Sequence, residues 1–249
     1  EQRNIYELLE PHLTDDGELD ATKGLLALPE PNAGDLYLDL EGDPFIGDEG
    51  MDYLFGLLQP SETGADGEPR FHAFWSKDPS GEVTPAGEKA AFEACVDRIM
   101  ELLDADPTLH VHHYGHYEPT HFKHLMGRYN THADEVDRLL RGGVFVDLYQ
   151  VVRQGLRASV ESYSIKRLEP FYGFTREVEL RAANESIVEF EQWMELGSHG
   201  GGVGDDILGK IEDYNRDDVV STLKLHGWLE TLRAELAEQR AETLPRPEV

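Results

Sequence analysis

Between Leu36 and Glu41 apolar and polar side chains alternate without a break, Leu36-Tyr-Leu-Asp-Leu-Glu41. Two further short apolar runs follow, Tyr53-Leu-Phe-Gly-Leu-Leu58 and Phe71-His-Ala-Phe-Trp75. Clusters of Gly, Pro, Asp and Glu separate them, so three successive strands in an antiparallel meander are predicted. The period then changes. From Ala86 to Leu103, after Pro85, the residues Phe92, Cys95, Val96, Ile99, Leu102 and Leu103 recur at helical spacing. Leu109–Tyr114 reads as a strand, and Pro119 opens a helix with Phe122, Leu125, Met126 and Tyr129 on its inner face. The order βββαβα belongs to an α/β domain. Beyond it we expect helices at Val146–Leu156, Ser164–Tyr172 and, more polar, Glu185–Leu196. A Gly-rich loop at Gly197–Gly204 and a long helix from about Ile207 to Leu236 follow. Residues 1–35 read as an N-terminal arm or linker, 36–236 as the domain, and 237–249 as a polar tail.

With 249 residues and 39% hydrophobic content, the chain suffices for one full-sized α/β core. It has no apolar run of the ~20 residues that cross a bilayer and no basic, apolar secretory start. A soluble, cytoplasmic protein without a membrane partner is the expectation. The single cysteine, Cys95, falls in a helical pattern as a small hydrophobe and excludes disulfides within the chain. An opening at Glu1 without methionine and a Pro-containing tail fit a domain of a larger polypeptide. The net charge of −28 argues against a nucleic-acid partner, because phosphate binding draws on Lys and Arg. Its distribution softens the objection: residues 1–119 hold six of the 22 basic residues, whereas 141–181 hold seven basic against five acidic.

Chemistry concentrates in three places. Period-two alternation sends Leu36, Leu38 and Leu40 to one side of their strand and Tyr37, Asp39 and Glu41 to the other. Two carboxylates two residues apart on one face can share a hard cation; otherwise they form a solvated outer face. The apolar stripe of the last helix runs Ile207, Ile211, Tyr214, Asp218, Leu225, Leu229, Leu232 and Leu236. An unpaired buried carboxylate costs several kcal/mol or takes up a proton, so Asp218 on a core-facing stripe reads as a ligand. Asp217 lies about 100° around the helix with Lys210, Asp213, Ser221 and Lys224, a solvent-like set. Tyr214, one turn before Asp218, either packs or presents its hydroxyl to the same site. In Tyr114-Gly-His-Tyr-Glu118-Pro119 a strand ends and a helix begins, so Glu118 is either a ligand or an anionic cap.

Asp39-x-Glu41 on a first strand, Glu118 opening a helix and Tyr214-x-x-x-Asp218 on a late helix together resemble the DEDD 3′–5′ exonucleases. In finer detail, Asp39-Leu-Glu-Gly-Asp-Pro44 and Tyr214-Asn-Arg-Asp-Asp-Val219 are similar to the ribonuclease H-like domain of RecB-like nucleases. The resemblance spans roughly Leu36 to Arg233 and implies a ribonuclease H-like fold with a central mixed sheet. It also implies catalysis by Asp39, Glu41, Glu118, Tyr214 and Asp218, with the four carboxylates holding two divalent cations, Mg²⁺ or Mn²⁺. The implied activity is 3′–5′ hydrolysis of single-stranded nucleic acid, DNA ahead of RNA, within a polypeptide that carries further nuclease and helicase domains. One departure stands out: Glu118 occupies a position where the family usually has Asp. A catalytically inactive scaffold, or an endonuclease of the same fold, are the alternatives.

Arg153, Arg157, Lys166 and Arg167 are candidates for substrate phosphates. By resemblance Asp147 belongs to the helices between the motifs, as a cap or an outlying carboxylate. Six of eleven histidines lie between His110 and His124, which invites a zinc reading. Strand alternation opposes it, sending His110 and His112 to one side and His113 to the other, and His116 is the histidine expected beside Glu118. Gly204-Asp-Asp-Ile-Leu-Gly209-Lys210 imitates a phosphate-binding loop, but Ile211 stands where Ser or Thr should bind magnesium.

Overall fold

Alternation in the first third and helical spacing thereafter produce two layers of helices on one sheet. A computed structural model describes residues 4–64, 67–176, 183–196 and 202–247. Strand β1 (Tyr6–Leu8) and a 3-10 helix (Gly24–Ala27) precede β2 (Leu36–Asp43), β3 (Met51–Thr63) and β4 (Pro69–Trp75). Then follow α1 (Pro85–Ala105), β5 (Val111–His113), α2 (Tyr117–Tyr129), α3 (Ala133–Arg141), β6 (Phe145–Asp147), α4 (Leu148–Gly155) and β7 (Leu156–Ala158). Helices α5 (Ile165–Tyr172), α6 (Ala183–Leu196) and α7 (Gly202–Arg240) complete the order.

The main sheet runs β4-β3-β2-β5-β6. The first three strands are antiparallel, while β2–β5 and β5–β6 are parallel, giving the mixed sheet. Leu36, Leu38 and Leu40 enter one core with Phe55, Phe92, Ile99, Phe122, Val136 and Leu139, beneath α1, α2 and α3. Tyr37 faces the other way and packs with Leu58 against Val219 of α7. The lower part of α7 closes a second core through Leu225, Leu229, Leu232 and Leu236 with α4 and the 3-10 helix, whose Leu25 and Leu26 are buried there. Its upper part packs Ile207, Leu208 and Ile211 on Tyr53, Phe190 and Trp193.

Several elements differ from expectation. The helix expected from Val146 begins at Leu148, because Phe145–Asp147 pairs with β5 as a fifth strand before Asp147 caps α4. Helix α3 was not anticipated, since its four apolar residues are flanked by charge, yet Val136 and Leu139 are buried. Helix α2 starts two residues before Pro119. The polar helix α6 buries Phe190 and Trp193. Helix α7 extends beyond the expected range at both ends and includes Gly202, Gly204 and the whole phosphate-loop imitation; 197–201 lie outside the described residues. Tyr6–Leu8 pairs with β7, and Arg246 binds Glu230, so both flanks contact the body of the domain. Among the described residues no helix is long and apolar enough to cross a membrane.

Candidate metal and nucleic-acid site

The alternation of β2 and the stripe of α7 converge on one sheet face. Asp39 and Glu41 leave β2 on the side covered by α7, and an irregularity between Glu41 and Gly42 turns the strand there. Carboxylate oxygens of Asp39, Glu41 and Asp218 lie within 4.8 Å of one another. Burial pushes Asp39 well above the usual carboxylate range, reinforced by the charges of Asp218, Glu41 and Glu118. Burial also raises Asp218, although Arg176 and Lys166 oppose the rise. Like charges so close are held only with cations or protons among them.

Two groups hold these carboxylates. Asn215, buried one turn before Asp218, donates Nδ2 to Oδ2 of Asp39 at 2.7 Å. Gly56 lies opposite Asp39 in the sheet register, and a methyl there would sit 1.6 Å from Asn215 Oδ1. Glycine is what leaves room for that amide. Arg176 donates Nη2 to Asp218 Oδ1 at 2.6 Å and to Glu169 Oε1 at 2.6 Å. Burial works against the guanidinium charge, and Asp218 and Glu169 outweigh it. Each clamp takes one oxygen of its aspartate and leaves the other without a hydrogen-bond donor among the described residues, as a cation site needs.

Glu118 lies in the first turn of α2, 3% exposed. Its buried Oε2 has no hydrogen-bond partner and stands 3.4 Å from Nδ1 of His113. Glu118 is outside the tight group of three, close enough for its charge to act on Asp39. His113, and not the exposed His116, is thus the histidine beside it. Tyr214 is buried, and its hydroxyl accepts from Lys166 Nζ at 2.8 Å. Burial raises the Tyr214 hydroxyl pKa, followed by the Asp218, Glu41 and Asp39 charges, so it stays protonated. A hard, oxygen-binding cation fits this donor set better than a soft one.

Of the four basic candidates, only Lys166 reaches this group. Arg153 lies over the Tyr149 ring, Arg157 sits on β7 opposite Glu7, and Arg167 pairs with Glu161. A groove that reaches Asp217, the chain neighbour of Asp218, instead carries Arg70, Phe71, Phe174, Arg216 and Lys224. Asp147 accepts from the Tyr149 backbone amide at 2.9 Å and is a cap. Lys210, Asp213 and Lys224 are exposed as expected, but Asp217 and Ser221 are buried, because α5 and the following turn cover that side of α7. Sequence reasoning passed over Asn215 and Arg176. The first was visible as the residue one turn before Asp218; the second had no motif to mark it.

No significant match is found among curated proteins or among solved structures. The model of one family, RNase_H_2 of the RNase_H superfamily, matches residues 36–230, well over half the chain, from the first residue of β2 to the lower part of α7. The matched span holds all five strands of the main sheet and Asp39, Glu41, Glu118, Glu169 and Asp218, and on this ground the chain belongs to the ribonuclease H superfamily, whose nuclease-type chemistry is directed at nucleic acid.

Proposed function

We propose that the chain is a metal-dependent 3′–5′ exonuclease on single-stranded nucleic acid, DNA ahead of RNA, within a larger nuclease and helicase assembly of the RecB-like kind. The observation that carries this reading is the convergence of Asp39, Glu41 and Asp218 within 4.8 Å beside the Tyr214 hydroxyl. Asp39, Glu41, Asp218 and Glu118 would hold two divalent cations, Mg²⁺ or Mn²⁺, which when bound supply an activated water and neutralise the leaving oxygen. Asn215 fixes the plane of the Asp39 carboxylate. Tyr214, its hydroxyl steadied by Lys166, directs a hydrogen bond toward the attacking water. Simpler ribonuclease H sites lack this tyrosine, which is why exonuclease is preferred to endonuclease. Arg176 and Lys166 are the positive charges at the carboxylates and would meet the scissile phosphate. Arg153, Arg157 and Arg167 touch none of these groups and could meet only phosphates farther along the strand.

One observation favours a second reading. Arg176 already neutralises Asp218, as in a site that has exchanged metal binding for an internal ion pair. The domain would then be a non-catalytic scaffold. The test is nucleotide release from a 5′-labelled single strand with Mn²⁺, comparing wild type with Asp39→Ala and Asp218→Ala. A ladder shortening from the 3′ end in wild type alone is expected; internal fragments indicate an endonuclease, and strand binding without cleavage supports the scaffold.

A further inference from the structure

Below the carboxylates, on the same sheet face, lies a second cluster of different chemistry. Asp35 immediately precedes β2, His112 sits on β5 opposite Tyr37, and His226 is on α7 roughly two turns beyond Asp218. All three are buried, with 3%, 0% and 5% exposure, and their ligand atoms lie within 4.8 Å of one another. Neither ring nitrogen of His112 has a hydrogen-bond partner, nor does Nε2 of His226 or Nδ1 of the adjacent, buried His110. Buried polar atoms are nearly always paired, and three buried imidazoles that each keep a bare ring nitrogen call for a partner.

Geometry names that partner's class. Asp35 Oδ2 and His112 Nε2 are 3.4 Å apart, long for a hydrogen bond. Two ligands each ~2.0–2.1 Å from a tetrahedral ion are separated by about that distance. Asp35 is oriented by the backbone amides of His110 at 2.8 Å and Asn32 at 3.0 Å. His226 Nδ1 is 2.9 Å from the Tyr37 hydroxyl, the outer contact that ligating imidazoles make through the nitrogen not on the metal. His110 also lines a neighbouring cavity of about 440 Å³.

We infer that Asp35, His112 and His226 form a buried zinc site that pins α7 to β2 and β5 beneath the carboxylates, with His110, whose Nδ1 stands 3.7 Å from Asp35 Oδ1, turning in as the fourth donor. Nitrogen-rich donors favour zinc over the magnesium or manganese that suits an all-oxygen group. The sequence opposed zinc within 110–124 because two of the donors come from elsewhere in the chain.

The test is the zinc content of the untagged chain. Wild type and the Asp39→Asn/Asp218→Asn double variant are each expected to hold about one zinc, while His226→Gln loses affinity ~100-fold or more. Chelation should lower Tm, with zinc and not Mg²⁺ restoring it. If His226→Gln fails to fold, Co²⁺ added to the chelated wild type decides: a tetrahedral visible absorption supports the site, and its absence overturns it. Zinc below a tenth of an equivalent in wild type, or zinc kept by His226→Gln and lost by the double variant, overturns it equally. This inference is independent of the nuclease reading, since a chain that binds zinc here and cuts no strand refutes only the latter.

Discussion

Asn215 and Arg176 show how single side chains prepare the site: one fixes Asp39 and the other Asp218. Removing an outer contact of a metal ligand typically costs 10–100-fold, so Asn215→Ala should lower Mn²⁺-dependent turnover by ~10–100-fold. Its Tm should stay close to that of wild type, and a melting curve beside the nuclease assay checks both. The raised Asp39 gives a pH prediction. In the fold this carboxyl binds its proton more tightly than in the unfolded chain, because burial and then the Asp218, Glu41 and Glu118 charges oppose ionisation. The unfolded state therefore holds fewer protons between the ordinary value of 3.8 and the raised value, and metal-free stability falls as pH rises through that window. Metal-free Asp39→Asn should melt above wild type at neutral pH, by ~2–4 °C for each kcal/mol recovered, and the gap should close in acid. Mn²⁺ should reverse the order by binding wild type alone.

At the scale of elements, α7 joins everything. It carries Tyr214, Asn215 and Asp218 to β2, and two turns later it buries Leu225 and Leu229 under α4. Truncating a fully buried leucine there costs about 2–5 kcal/mol, so Leu225→Ala should move the urea midpoint down with little change in slope. Loss of nuclease activity should follow only as the protein unfolds. The stripe of α7 and the alternation of β2 were legible because each repeats over enough residues for its period to show. Helix α3 and strand β6 were not. Helix α3 does carry a helical period, with Val136 and Leu139 on its inner face, but nine residues repeat it too few times to stand out, and Phe145–Asp147 is a strand only because β5 lies parallel beside it.

For the whole molecule the net charge of −28 is the dominant long-range fact. Self-repulsion of that size destabilises the compact state and is screened by salt. Tm should therefore climb as KCl is raised from low to molar concentration, and a flat or falling curve in a fluorescence melt would contradict this account. Activity should respond in the opposite sense if the strand is held through Arg70, Arg176, Arg216 and Lys224, since phosphate contacts weaken with salt.

By itself the sequence determined the βββαβα order, the face of β2 that carries Asp39 and Glu41, and the anomaly of an aspartate on a core stripe. These are local properties, written in periods of two and 3.6 residues. Only the tertiary structure decided that Asn215 faces Asp39 across a gap left by Gly56, that Arg176 reaches Asp218, and that His113 rather than His116 stands by Glu118. It alone brought Asp35 and His226 to His112. Such contacts join residues far apart in the chain, and no spacing within one segment encodes them.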